Sequence, residues 1–158
     1  MESVEFGQTE NHLFFSVGER LLVSRVLTGQ FPNYELVIPR ENNRQASIDT
    51  VELSDAVRRM LVMADEESRG VKFSFKEGQL DLASTSATSG EAKESLPADF
   101  AGDQLDISFN AQYLLDFLGV LESDQVLFEM RNDEIQALLK PRFPGDYVYQ
   151  YVVMPMKV

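Results

Sequence analysis

A short pattern recurs three times along the chain, and it restricts the fold more than any other feature. The stretches VEFGQTENHLFF from Val4, VKFSFKEGQLDL from Val71 and VLFEMRNDEIQA from Val126 align without a gap. Val4, Val71 and Val126 coincide, as do Phe6, Phe73 and Phe128, and then Leu13, Leu80 and Ile135. Apolar residues alternate on either side of a polar turn at Asn11, Gly78 and Asp133, the mark of a β-hairpin with one buried face. Each copy is followed by a further strand-like stretch, RLLVSRVL, GEAKESLP or YVYQYVVM, so the expected unit is a three-stranded antiparallel meander.

An amphipathic helix precedes the second and third copies. In VELSDAVRRMLVMADE, Leu53, Ala56, Val57, Met60, Met63 and Ala64 share one face, with Asp55, Arg58 and Arg59 opposite. In NAQYLLDFLGVL, Leu114, Phe117, Leu118 and Leu121 form the stripe, and Asn110 stands where an N-cap is needed. Short strands, QASID and LDISF, lead into the helices. The spacing therefore predicts an α+β fold of two β-α-β-β-β units, with helices on one face of antiparallel sheets. Residues 45–158 hold both units as a complete domain. Residues 1–29 resemble the last strands of a truncated neighbouring domain, and residues 30–44, with Pro32 and Pro39, read as an interdomain linker.

Composition narrows the functional classes. Of the residues, 44% are hydrophobic and 25% charged, as in a globular protein. Cysteine is absent, which removes disulfides, zinc–thiolate sites and thiol nucleophiles. No apolar run is long enough to span a bilayer, and MESVEFGQTE lacks the layout of a signal peptide, so a cytoplasmic location without membrane contact is expected. The formal net charge of −12 opposes nucleic-acid binding unless charge is segregated or attachment is topological.

The chain carries no glycine-rich phosphate loop, nucleophile elbow or metal-spaced cluster, so we expect no catalysis, cofactor or metal. The lone His12 reads as an ordinary strand residue, and the acids at Asp65–Glu67, Asp103 and Asp106 as solvated charges. Three stretches are unusual for a merely structural domain. Val62 sits among polar helix positions, as a stray exposed residue or a contact. FPNYELVIP is apolar for a linker. VVMPM is either a core strand or one wall of a surface groove, readings that alternation makes compatible, and methionine suits a groove accepting varied apolar side chains.

The repeated unit, GQFPNYELVIP, SRGVKFSF, ISFNAQYLLDFL and the ending YVVMPMKV together resemble the bacterial DNA polymerase III β subunit, the sliding clamp. The resemblance runs over essentially the whole chain. It implies a non-catalytic processivity factor of DNA replication, three such domains per protomer and two protomers in a ring around double-stranded DNA. The chain matches only the end of the middle domain and the last domain, so the closed homodimer is not expected of it. By resemblance, polymerase, clamp-loader and repair proteins dock short apolar peptides in a groove lined by Pro32, Leu36, Val37, Val152, Met154 and Met156, with Asn110 and Tyr113 at its rim. Val62, Met63, Glu91 and Lys93 would meet the other protomer, and Arg58, Arg59 and Arg69 would face DNA. Two rivals remain: a stand-alone peptide-binding adaptor, separated by the length of the gene, and a metal-dependent enzyme, which would need Asp103 or Asp106.

Overall fold

The computed structural model describes residues 3–87 and 90–157. They form two compact units, Met1–Tyr34 and Glu35–Val158. The first is an antiparallel meander of β1 (Glu5–Gln8), β2 (His12–Val17) and β3 (Arg20–Arg25). Phe6, Phe15 and Leu22 stand opposite one another on one face, and the Phe6 and Phe15 rings lie 5.3 Å apart. Gly18, with φ at 56°, makes the tight turn between β2 and β3, a backbone state that costs glycine little.

The second unit runs β4 (Arg44–Asp49), α1 (Thr50–Met63), β5 (Gly70–Lys76), β6 (Gln79–Ser86), β7 (Gly90–Pro97), β8 (Asp99–Phe100), β9 (Leu105–Asn110), α2 (Ala111–Leu118), β10 (Gln125–Met130), β11 (Ala137–Pro141) and β12 (Tyr151–Val153). Both expected β-α-β-β-β repeats are present, and they interlock. The strand leading into α1 pairs with the meander of the second repeat, and the strand leading into α2 pairs with that of the first. The result is a five-stranded sheet ordered β12-β11-β10-β4-β8 and a four-stranded sheet ordered β7-β6-β5-β9. Each repeat thus completes the other's sheet, and neither can bury its apolar face alone.

Helix starts follow from capping. The Asp49 carboxylate accepts hydrogen bonds from the Val51 and Glu52 N–H groups, each at 2.9 Å. Asn110 caps α2 as expected, accepting from the Gln112 N–H at 2.9 Å. Helix α1 stops at Met63, short of the acidic run, because the Asp65 carboxylate takes the Glu67 and Ser68 N–H groups and turns the chain. Phe128 of β10 joins the two sheets into one core, with ring centroids 5.8 Å from Phe75 and 6.4 Å from both Phe73 and Phe109. Leu53, Val57 and Met60 of α1 and Leu114, Phe117 and Leu118 of α2 close that core.

Two details differ from the sequence expectation. Phe6 faces Phe15 and Phe73 faces Leu82, each nine positions on, whereas Phe128 faces Leu139, eleven on. The third hairpin is therefore longer. Ile135 lies in its loop, where the Asn132 side chain accepts from the Glu134 and Ile135 N–H groups, and Ala137 takes the place of Leu13 and Leu80. Strand β12 is also shorter than YVYQYVVM suggests. Its partner β11 ends at Pro141, which has no N–H for the ladder, so the ladder does not extend to residues 147–150.

Candidate functional site

The outward side of the five-stranded sheet carries apolar side chains. Paired residues of antiparallel strands project to the same side, so Gln45, Glu129, Leu138 and Val152 form one outward row. Ser47, Leu127 and Lys140 form the next. Leu127 and Leu138 are only 6% and 3% exposed, yet neither belongs to the core between the sheets. They were missed by sequence reasoning. Their signal was present in VLF and LL, where neighbouring strand positions are apolar on both sides rather than alternating.

The chain from Glu35 to Asn43 is pinned at the far end of this face. The Gln136 amide donates to the Val37 carbonyl at 3.1 Å, and the Asn42 amide donates to the Glu129 and Gln136 carbonyls at 2.9 and 3.1 Å. Arg131 and Glu41 pair at 2.6 Å. Leu36, Ile135 and Gln136 line a depression of about 430 Å³ there, leaving Leu36 mostly exposed. Pro32 belongs to the first unit, whereas Leu36 and Val37 belong to the second.

The tail behaves as alternation predicts through Met154. Val153 is buried opposite Ala137, and Met154 is 61% exposed. Tyr151 turns inward and stacks on Phe117 of α2 at 5.1 Å. Pairing with β11 ends at Val153, and beyond Pro155 the Met156 N–H donates to the Ser108 carbonyl on β9 at 2.7 Å. The tail therefore ties the edge of one sheet to the edge of the other, and Met156, half-buried, lies beside the strand that leads to Asn110. The Asn110 side chain is committed to the cap and to the Ser68 carbonyl, while Tyr113 stands exposed on α2.

The other singled-out residues lie on α1, in the loop that follows it and on β7. Val62 is 78% exposed at the close of α1, with Met63 half-buried beside it. Glu91 and Lys93 pair with each other at 2.7 Å on the edge strand β7. Arg58 bonds Asp55 at 2.9 Å, and Arg59 is clamped by both oxygens of Glu94, which raises the arginine pKa and lowers that of the glutamate. Arg69 adopts a left-handed φ of 50° and caps no carboxylate in the described structure. Two of the three candidate DNA-facing cations thus already carry a carboxylate partner.

The outward side of the four-stranded sheet is polar. Lys76 and Ser95, each at 2.6 Å, hold Asp81 down at about 2. Lys72 at 2.7 Å and Gln104 at 2.8 Å do the same for Asp106, also at about 2. Asp106 is thereby engaged in ion pairing, and among the described residues no cluster of three or more His, Asp or Glu side chains can hold a metal.

Two interlocked β-α-β-β-β repeats with two helices sealing one core define a DNA-clamp domain. Solved structures share it: the DNA polymerase sliding clamp of Pseudomonas aeruginosa superposes with a TM-score of 0.85 at 32% identity, over 98% of this chain and 42% of that one. A sliding clamp of Bartonella birtlesii bound to griselimycin gives 0.86 at 34% identity, over 98% and 41%. The family model for the DNA polymerase III beta subunit, C-terminal domain, matches residues 35–157, and the chain belongs to that family. The beta sliding clamp of Pseudomonas putida is 34% identical over 158 residues, 100% of this chain and 42% of the relative. That of Synechococcus elongatus is 31% identical over 99% and 42%. The chain spans about two fifths of the length of the curated relatives it matches.

Proposed function

We propose that this chain serves as the C-terminal part of a bacterial sliding clamp, a non-catalytic processivity factor of DNA replication that offers partner proteins a docking face. Residues 45–158 act as the clamp domain, 30–44 as the linker and 1–29 as strands of the preceding domain. In the ring assembled by the whole protein, encirclement holds double-stranded DNA, so strong phosphate contacts are unnecessary. The local neutralisation of Arg58 and Arg59 is consistent with weak contact. Val62, Met63, Glu91 and Lys93 present the subunit edge, where an exposed valine adjoins a charged edge strand that resists promiscuous pairing. The work is done in the cytoplasm; no helix among the described residues is long and apolar enough to cross a membrane.

The observation that carries this reading is the outward pair Val152 and Met154, next to the buried Leu138, with Leu36 and Val37 pinned nearby. Apolar walls with few polar groups suit short peptides that insert apolar anchors. Met156, Asn110 and Tyr113 complete the rim. Polymerase, clamp-loader and repair proteins are the partners that would carry such peptides. The test is fluorescence-anisotropy titration of a labelled Gly-Leu-Ser-Leu-Phe peptide onto the chain and its Met154→Ala variant. Losing the exposed methionine weakens binding about tenfold, equal to about 1.4 kcal/mol, while the unfolding midpoint stays in place. Equal affinity for the two proteins overturns the assignment.

A further inference from the structure

Beside the outward strip lies a second concavity, of about 460 Å³, between the β10–β11 surface and the loop that joins β11 to β12. Leu127, Pro141, Pro144 and Val148 supply its apolar lining, and Arg142 its exposed cation. Gln45 and Glu129, which stand in the same outward row as Leu138 and Val152, also line it. Gln150 lines it too, two residues before Val152, a separation of about 7 Å in extended chain. The cavity therefore continues the docking strip along the same face of the same sheet.

Its chemistry selects an occupant. Lys140 is already neutralised by Glu129 at 2.8 Å. Arg142 has no carboxylate at ion-pairing distance among the described residues, and its guanidinium rests over the Phe143 ring at 5.7 Å. Val148 is 89% exposed at the cavity wall. An unpaired guanidinium beside apolar surface, on a chain of net charge −12, complements a ligand residue that is acidic next to one that is apolar.

We infer that the Arg142–Val148 cavity is an accessory subsite for the docking peptides, taking an acidic residue and a neighbouring apolar residue about two to three positions beyond the anchors. This rests on the docking role proposed for the adjacent strip. A peptide engaging both regions gains affinity because the second contact follows the first without a new encounter. Specificity among partners then comes from the flanking residues, while the anchors are shared.

The test compares Gly-Leu-Ser-Leu-Phe with the same peptide carrying Gly-Asp-Ile at either end, titrated onto the unaltered chain and onto Arg142→Glu and Val148→Ser variants. One of the extended peptides binds about fivefold tighter than the anchor peptide, and both substitutions abolish that gain without changing anchor-peptide affinity. Val148→Ser alters only an exposed side chain and so keeps the comparison valid if Arg142→Glu disturbs folding. Anchor binding with no gain from either extension, or a gain that survives both substitutions, overturns the subsite alone. Failure of the anchor peptide to bind at all overturns the docking strip and this subsite with it.

Discussion

The two sheets of the second unit arise from the same repeat, yet their outward faces differ. On the four-stranded sheet, Lys72, Lys76 and Lys93 meet Asp106, Asp81 and Glu91 in ion pairs, and serine and alanine fill the space between. On the five-stranded sheet the corresponding side holds Leu127, Leu138 and Val152 among Gln45, Ser47, Glu129 and Lys140, with Met154 two residues beyond Val152. The inward sides are alike, both dominated by phenylalanine and aliphatic residues. Like cores thus carry unlike outer surfaces, one a set of ion pairs and the other a mixture of apolar and polar side chains. The exposed Met154 beside the pinned linker is where the docking role proposed above would place a partner.

The largest expected effect that separates the faces is on stability. Leu138→Ala and Leu127→Ala each cost about 2 kcal/mol in urea unfolding, because these outward leucines are as buried as core residues. Val153→Ala, on the inward side of the tail, costs a similar amount, about 2 kcal/mol. If the two outward leucines could be truncated as cheaply as exposed residues, the contrast between the sheets would dissolve.

A smaller effect is pH-dependent and belongs to the polar face. Asp81 and Asp106 are depressed from the ordinary 3.8 to about 2, so their folded-state contribution is complete above pH 3.8 and fades as pH falls towards 2. Solvent exposure limits the gain, and we expect Asp81→Asn with Asp106→Asn to flatten the thermal midpoint between pH 4 and pH 2 by only a few degrees' equivalent of the total acid loss. An unaltered acid profile in the double variant would show that the Lys76–Asp81 and Lys72–Asp106 pairs do not stabilise the fold. Smallest of all, Lys93→Ala changes stability by under about 0.5 kcal/mol, since its pairing with Glu91 is exposed on both sides.

Much of this was readable in the residues. Alternation located the inward Val153 and the outward Met154, and the Asn110 cap followed from its place before an apolar stripe. The length of the third hairpin was not readable, because the choice of Ala137 over Ile135 depends on a side-chain turn at Asn132 that apolar periodicity cannot register. The Met156–Ser108 hydrogen bond and the Arg59–Glu94 clamp join residues far apart in sequence, the first where the tail reaches the edge of the other sheet and the second where α1 packs on the meander of its own repeat. Leu127 and Leu138 were legible in principle. A strand apolar at consecutive positions is covered on both sides, and the alternating residues alone drew attention away from that.

The most direct test of the difference between the faces is a methyl NMR titration of the chain with Gly-Leu-Ser-Leu-Phe. The account predicts shifts at the methyl groups of Met154, Val152 and Leu138 on the five-stranded sheet, with Ala83 and Thr85 on the outward side of the four-stranded sheet unmoved. Shifts centred on Ala83 and Thr85, or none at Met154 and Val152 with the peptide at saturating concentration, would contradict it.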